Sequence, residues 1–265
     1  MEILIPVIVL GALGLVFGAF LGIAAKAFRV DKDERVEQVQ ELLAGANCGG
    51  CGYAGCSAFA EAVVAGKASP SACPSTKKEN VDQIAEILGI TVEDGEKMVA
   101  KVLCSGTCDK ASVKYQYDGI TDCVAVYRFG GGEKTCLYGC TGYGSCVRAC
   151  MFDAIHVVDG VAKVDPEKCT GCGMCIATCP KRIIELVPAK QRTFVVCRSK
   201  EKGVAIKDIC QAGCIGCKIC EKNCPKDAIH VVDNIAKIDY DKCINCGICA
   251  TKCPKHVIEF RKRGE

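Results

Sequence analysis

Cysteine is the residue with chemistry to do in this chain: there are 25 among 265 residues. Three stretches share one spacing. CTGCGMCIATCP holds Cys169, Cys172, Cys175 and Cys179, and CINCGICATKCP holds Cys243, Cys246, Cys249 and Cys253. CIGCKICEKNCP holds Cys214, Cys217, Cys220 and Cys224. Three thiols two residues apart, a fourth after three more, then proline, is the spacing that holds a cubane iron–sulfur cluster. Tight turns aim three thiolates at one cube, and the fourth serves the other cluster of a pair. A looser copy, CLYGCTGYGSCVRAC, runs through Cys136, Cys140, Cys146 and Cys150, with Met151 where the others have proline.

A different pattern lies nearer the start. Cys48, Cys51 and Cys56 stand in NCGGCGYAGC, and Cys73 follows with Pro74. The glycines between the first three thiols let the backbone curl round a cluster. Five four-thiol sets leave Cys104, Cys108, Cys123, Cys197 and Cys210. Four of these would make a sixth set, with Cys197 or Cys210 completing Cys104, Cys108 and Cys123. The plainer alternative is buried or free thiols, which pack well in cores. Zinc also takes CxxC pairs, but the proline-terminated form favours iron–sulfur. A secreted disulfide scaffold would be shorter and carry a cleavable signal. The formal charge is +3 with cysteines neutral. Each oxidised cubane with four thiolates adds about −2, so the loaded protein should be acidic. There is no tryptophan and no sign of a nucleic-acid surface.

These sets need elements to hold them. Residues 154–186 align without gaps to residues 228–260, an internal repeat. In each copy Ile-His-Val-Val and Ala-Lys-Val/Ile read as a hairpin turning at Asp-Gly or Asp-Asn. A short helix follows the cysteine turn, then an edge strand at 183–187 or 257–261. His156 and His230 hold matching strand positions and are read as structural, since thiols already fill each set. Residues 31–45 read as a charged helix with Val36, Val39, Leu42 and Leu43 on one side, ended by Gly45. A helix over 57–65 buries Phe59 and Val63. Two short amphipathic helices are expected at 80–88, capped by Asn80, and at 93–103. Phe129-Gly130-Gly131-Gly132 reads as a turn, since no strand–GxGxxG–helix unit surrounds it.

Residues 3–25 form an uncharged run long enough to cross a bilayer. A signal peptide would start with basic residues and be shorter; here Glu2 precedes the run. Lys26, Arg29 and Lys32 follow it, which puts the rest of the chain in the cytoplasm. Gly14, Gly18 and Gly22 make a doubled GxxxG, a face for another membrane helix.

CGGCGYAGC, an alanine-rich helix and then CP resemble the cluster domain of the B subunit of the Rnf complex. A related module occurs in the large subunit of corrinoid iron–sulfur proteins; the apolar run ahead of it favours Rnf. The duplicated half resembles two-cluster bacterial ferredoxins. That resemblance implies four cubanes: Cys136, Cys140 and Cys146 with Cys179; Cys150 with Cys169, Cys172 and Cys175; Cys214, Cys217 and Cys220 with Cys253; Cys224 with Cys243, Cys246 and Cys249. The gaps of the first motif depart from the pattern, so Cys136 could instead serve the middle set.

The expected fold class is α+β: a single N-terminal transmembrane helix (1–30), a small helical 4Fe-4S module (31–90), a cysteine-containing middle segment (91–135), then two bacterial-ferredoxin-like domains (136–190 and 191–265). The resemblance implies five 4Fe-4S clusters, a sixth if the middle set is real. It also implies reduced ferredoxin as electron donor, and other subunits of a membrane complex as acceptors. Such complexes reduce NAD and move Na⁺ or H⁺ across the cytoplasmic membrane of a prokaryote. This chain is then an electron-transfer subunit with no complete active site of its own. Two other readings stand beside it: an electron carrier of a related complex with another acceptor, and a zinc-stabilised scaffold. The basic end, with Lys252, Lys255, Arg261, Lys262 and Arg263, could steer an acidic donor towards the last cluster.

Overall fold

The computed structural model describes residues 4–27, 33–92 and 95–262. Glu2, Arg29, Asp31, Lys32, Glu93 and Arg263 lie outside the described residues. Helix α1 (Leu4–Ala27) is the apolar run. Its stretch Val7–Ala24 has a mean hydropathy of 2.6 and is long and apolar enough to cross a membrane. Its leucine, valine and phenylalanine side chains from Val7 to Ile23 are exposed, a contiguous apolar surface of the kind that marks a membrane or protein contact.

Helices α2 (Glu34–Leu42), α3 (Cys56–Val64) and α4 (Lys78–Leu88) build a small module. Asp33 caps α2, accepting from the amide of Arg35. The helix ends at Leu43, two residues before the expected Gly45. Val39, Leu43, Phe59, Val63 and Ile84 close one apolar core between the three helices. Each such side chain stabilises by about 1.5–3 kcal/mol on full burial. Lys77, not Asn80, is the residue before α4. Asn80 lies inside the first turn and donates to the carbonyl of Leu42, tying α4 to the end of α2.

The second expected amphipathic helix, at 93–103, does not form. Its later half is strand β1 (Met98–Val102), which pairs antiparallel with the edge strand 184–188. That edge would otherwise leave its amides and carbonyls unpaired, and Val99, Ala100 and Val102 bury against it. Tertiary pairing has overridden a short helical pattern. Helices α5 (Cys123–Arg128) and α6 (Ser145–Arg148) follow. Then come the hairpin β2 (Ile155–Val158) and β3 (Val161–Val164), helix α7 (Met174–Thr178) and strand β4 (Ile184–Pro188). The order repeats. Strand β5 (Thr193–Val195) and helix α8 (Gly203–Ile209) lead to α9 (Ile219–Lys222). The hairpin β6 (Ile229–Val232) and β7 (Ile235–Ile238), helix α10 (Ile248–Thr251) and strand β8 (Ile258–Phe260) close the unit.

Among the described residues four two-stranded antiparallel sheets result: β1 with β4, β2 with β3, β5 with β8, and β6 with β7. Both hairpins turn on two left-handed residues, Asp159 and Gly160 in one, Asp233 and Asn234 in the other. This backbone matches the strand twist. The units are not independent. Phe194 and Val196 of the second sit in the first unit's core with Val99, Ile155, Val161 and Val187.

In α1, a side chain added at Gly14, Gly18 or Gly22 would meet nothing within 4 Å. Gly18→Leu is therefore expected to leave the chain's folding and insertion intact. It should weaken association with partner membrane helices, which close packing on small residues requires. Co-purification of the neighbouring subunits in detergent checks this; an unchanged yield would contradict it.

Candidate metal centres

Short helices and tight turns present the sulfurs, and the sulfurs ring five cavities of about 340 to 400 Å³ each, partly open to solvent. Cys150, Cys169, Cys172 and Cys175 line one. Cys214, Cys217, Cys220 and Cys253 line another, and Cys224, Cys243, Cys246 and Cys249 a third. In each the fold brings together the four residues expected to act together.

The fourth cavity differs from expectation. Cys140, Cys146 and Cys179 line it, but the fourth sulfur is Cys123, not Cys136. The repeat explains why. The offset that aligns Ala154 with Ala228 puts Tyr143 opposite Cys217, so the second thiol of the regular motif is missing in the first unit. Helix α5 supplies it from outside. Asp122 caps that helix, accepting from the amides of Val124 (2.9 Å) and Ala125 (3.1 Å). Its other oxygen accepts from Ser145 (2.7 Å) and Arg148 (3.1 Å). Ser145, the residue before Cys146, in turn accepts from the amide of Cys123 (2.8 Å). This network fastens the helix bearing Cys123 to the helix bearing Cys146. The hydrogen bond from Ser145 and those from the backbone and Arg148 lower the Asp122 carboxyl to about 2.

The fifth cavity lies between the units and is lined by Cys104, Cys136, Cys197 and Cys210. It is built twice over. Cys104 follows β1 and Cys197 follows β5, while Cys136 opens CLYGC and Cys210 opens CQAGC. Each unit thus gives two sulfurs. The amide of Cys140 donates to Cys104 Sγ and that of Cys214 to Cys197 Sγ, both at 3.4 Å. Residues 105–135 stitch the joint: Ala111 bridges Cys210, and Ser112 and Gln211 exchange backbone bonds with Ile209 and Lys110. Of the middle cysteines expected together, Cys104 is here and Cys123 is in the neighbouring cavity. Cys108 is in neither; its exposed sulfur lies at the Asp159–Gly160 turn, 2.5 Å from where a side chain on Gly160 would begin.

Cys51, Cys56 and Cys73 pack on the core of the small module, and Cys48 Sγ lies 4.0 Å from Ser75 Oγ. Asn47 accepts from the amide of Cys56 at 2.8 Å and so starts α3 at that cysteine. The module leans directly on the first unit. Ser75 donates to Thr170 at 3.1 Å, and Gly50 packs so closely that a side chain there would come within 2.6 Å of the Cys172 carbonyl. Both expected structural histidines face carboxylates rather than sulfurs: His156 meets Asp153, and His230 meets Glu221 and Asp227.

The donor sets suit cubanes. Burial, then neighbouring thiolates, push Cys146 and Cys175 up to about 12, and the same causes push Cys220 and Cys249 up to about 11. Four such sulfurs ionise together only around strongly positive charge, which iron supplies. A zinc ion needs ligands at about 2.3 Å, and among the described residues no three His, Cys, Asp or Glu side chains gather on one such point. Further N–H donors reach sulfur from Ala100 to Cys169, Ala154 to Cys150 and Ala228 to Cys224. The buried Gln191 side chain donates to Cys243 at 3.4 Å, its own oxygen accepting from Asn245. Such bonds raise a cluster's potential.

Comparisons with known proteins agree with this chemistry. A family described as a putative Fe-S cluster domain matches residues 43–75. A 4Fe-4S dicluster domain matches 139–183, 168–228 and 213–257. The three overlapping matches reflect the repeated spacing, and the fold selects the pairings within each unit. The B subunit of the Na⁺-translocating ferredoxin:NAD⁺ oxidoreductase complex of Acetobacterium woodii is 48% identical over 241 residues, which cover 91% of this chain and 72% of that protein. The B subunit of the proton-translocating ferredoxin:NAD⁺ oxidoreductase complex of Clostridium ljungdahlii is 43% identical, with 89% and 84% covered. The B subunit of the ion-translocating oxidoreductase complex of Methanosarcina acetivorans is 42% identical, with 96% of each chain covered.

The cavity linings separate Cys123 from Cys108. Cys123→Ser should lose or convert one cubane, lowering iron by about one to about four atoms per chain, while Cys108→Ser keeps the wild-type content. Iron and sulfide analysis of anaerobically purified variants reads this directly. Full iron in Cys123→Ser would contradict the grouping.

Proposed function

This chain belongs to the family of B subunits of ion-translocating ferredoxin:NAD⁺ oxidoreductase (Rnf) complexes, and on that premise we propose that every cysteine except Cys108 binds iron, in six 4Fe-4S sets. The chain is an iron–sulfur electron-transfer subunit of such a complex. Bound in these sets, the clusters would supply one-electron transfer.

What the chain itself contributes is order and contact. Its sets form one series. Gly50, beside Cys51, packs on the Cys172 carbonyl, and α6, with Cys146, packs on α7, with Cys175. Cys140 donates to Cys104 and Cys214 to Cys197. Helix α9, with Cys220, packs on α10, with Cys249. The series therefore runs from the Cys48–Cys73 module, next in sequence to α1, through the first unit and the joint to the second unit. The small module is read as the end that faces the membrane subunits. Lys26, just inside the end of the apolar helix, is a described basic residue on the side read as cytoplasmic. We assign α1 a single crossing, with all the sulfur sets on that side, and assign nicotinamide chemistry to other subunits.

Electron entry is placed at the far unit, and one observation carries that choice. Apart from Cys108, the exposed cysteines are Cys217 and Cys246, both in the second unit. Lysines rim the same two cavities: Lys218 and Lys255 at one, Lys226 at the other. An acidic ferredoxin would be drawn to this face.

Exposed charges are screened over about 10 Å at 0.1 M salt, so the entry rate should fall as salt rises. Neutralising Lys226, Lys255 and Lys262 together to Gln should slow reduction by ferredoxin about tenfold at low salt and flatten its salt dependence. Iron content should not change, because none of the three is a sulfur donor. Stopped-flow rates at several salt concentrations check this; superimposable curves for wild type and variant would move the entry site elsewhere.

A further inference from the structure

Lys134 is the one charged side chain that is buried among the described residues, at 6% exposure. It is not buried by accident of packing. Its Nζ donates to the carbonyls of Gly106 (2.8 Å), on the lining of the joint cavity, and Gly160 (2.7 Å), in the turn between β2 and β3. These bonds fix the ammonium in place, yet neither acceptor carries a charge. No carboxylate among the described residues pairs with it. Lys134 instead lines the cavity of Cys104, Cys136, Cys197 and Cys210. The other cation on that lining, Arg198, is already matched by Glu185 at 2.5 Å. Lys181 also reaches towards Cys136, but it is half-buried and hydrogen-bonded to the Leu137 carbonyl over the Tyr127 ring.

An ammonium taken out of water without a counter-charge is disfavoured. A negatively charged occupant of the adjacent cavity removes that cost. The buried charge is thus independent support for an anion in the four-sulfur site at the joint. It also acts on that anion. When an electron is added there, no bond forms or breaks and the negative charge grows by one. A fixed positive charge nearby favours the added electron, more so in a site where solvent screens little. The repeat makes the effect one-sided: the position matching Lys134 in the second unit is Asp208, whose side chain is exposed.

Resting on the reading of that set as the sixth cluster site, we propose that Lys134 tunes it, holding its reduction potential above the value the four cysteines and their hydrogen bonds alone would give. The joint then receives an electron from one ferredoxin-like unit more readily than it would without the lysine.

The test uses the full chain, purified anaerobically, with dithionite as reductant in an EPR-monitored redox titration. The signal lost in Cys210→Ser identifies the joint. In Lys134→Met that signal should titrate at lower potential, its reduction about tenfold less favourable, which is about 59 mV for one electron. The other signals should hold, and Lys134→Arg should match wild type. Loss of about four irons in Lys134→Met but not in Lys134→Arg would also support the role of the charge. Unchanged potentials at full iron content would overturn it, as would equal iron loss in both variants. A wild-type iron content of about 20 would instead remove the joint's cluster, and the proposal with it.

Discussion

Thiols that sit close together inside a protein resist ionisation, because they are buried and the thiolates formed would repel one another. That constraint orders this molecule. Cys140, Cys146 and Cys169 are members of the first unit's core, and Cys214, Cys220, Cys249 and Cys253 of the second's. They stand where a larger protein would have leucine or valine. The sheets around them have two strands each, and a two-stranded hairpin is marginal in water by itself. Binding energy at the sulfur sets is therefore folding energy. The hairpins, the four- and five-residue helices and the left-handed turns serve mainly to aim sulfur at common points.

The joint between the units extends the same logic from a domain to a series. Two strands, β1 and β5, each deliver one cysteine, and two CxxGC turns each deliver another. The amides of Cys140 and Cys214 reach across to the joint's sulfurs. Each unit is thereby connected to the shared set by a hydrogen bond from one of its own donors. The long segment 105–135 in the first unit covers this joint and brings two functional side chains, Cys123 and Lys134. Such insertions carry function because loops vary without disturbing the scaffold beneath.

Cysteine spacing with the ferredoxin resemblance, the internal repeat and the uncharged run at 3–25 made three sulfur sets, the two hairpins and the membrane-length helix legible in the sequence. In three of the four paired sets a local turn, whose geometry the spacing encodes, aims three sulfurs, while the fourth member was implied by the resemblance to two-cluster ferredoxins. Cys123 was not legible in that way, because it reaches its set through a tertiary network of Asp122, Ser145 and Arg148. A signal existed nonetheless. Tyr143 stands where the repeat expects a cysteine, and the doubled CxxGC pairs Cys136 with Cys210. Strand β1 was hidden for a similar reason: Met98–Val102 has a partner more than eighty residues away, in β4. Gln191 and Lys134 act on the sulfur sets through burial and hydrogen bonding, and neither property shows in spacing.

On the proposal above, all the cysteines of this chain except Cys108 form six cubane sites in series. Mössbauer spectroscopy of isotopically enriched, anaerobically purified protein, with iron and sulfide quantified on the same sample, tests it most directly. The account predicts about 24 irons per chain, all in cubane doublets, with a matching amount of sulfide. Zinc in place of iron, or about 20 irons with a full set of free thiols at the joint, would contradict it.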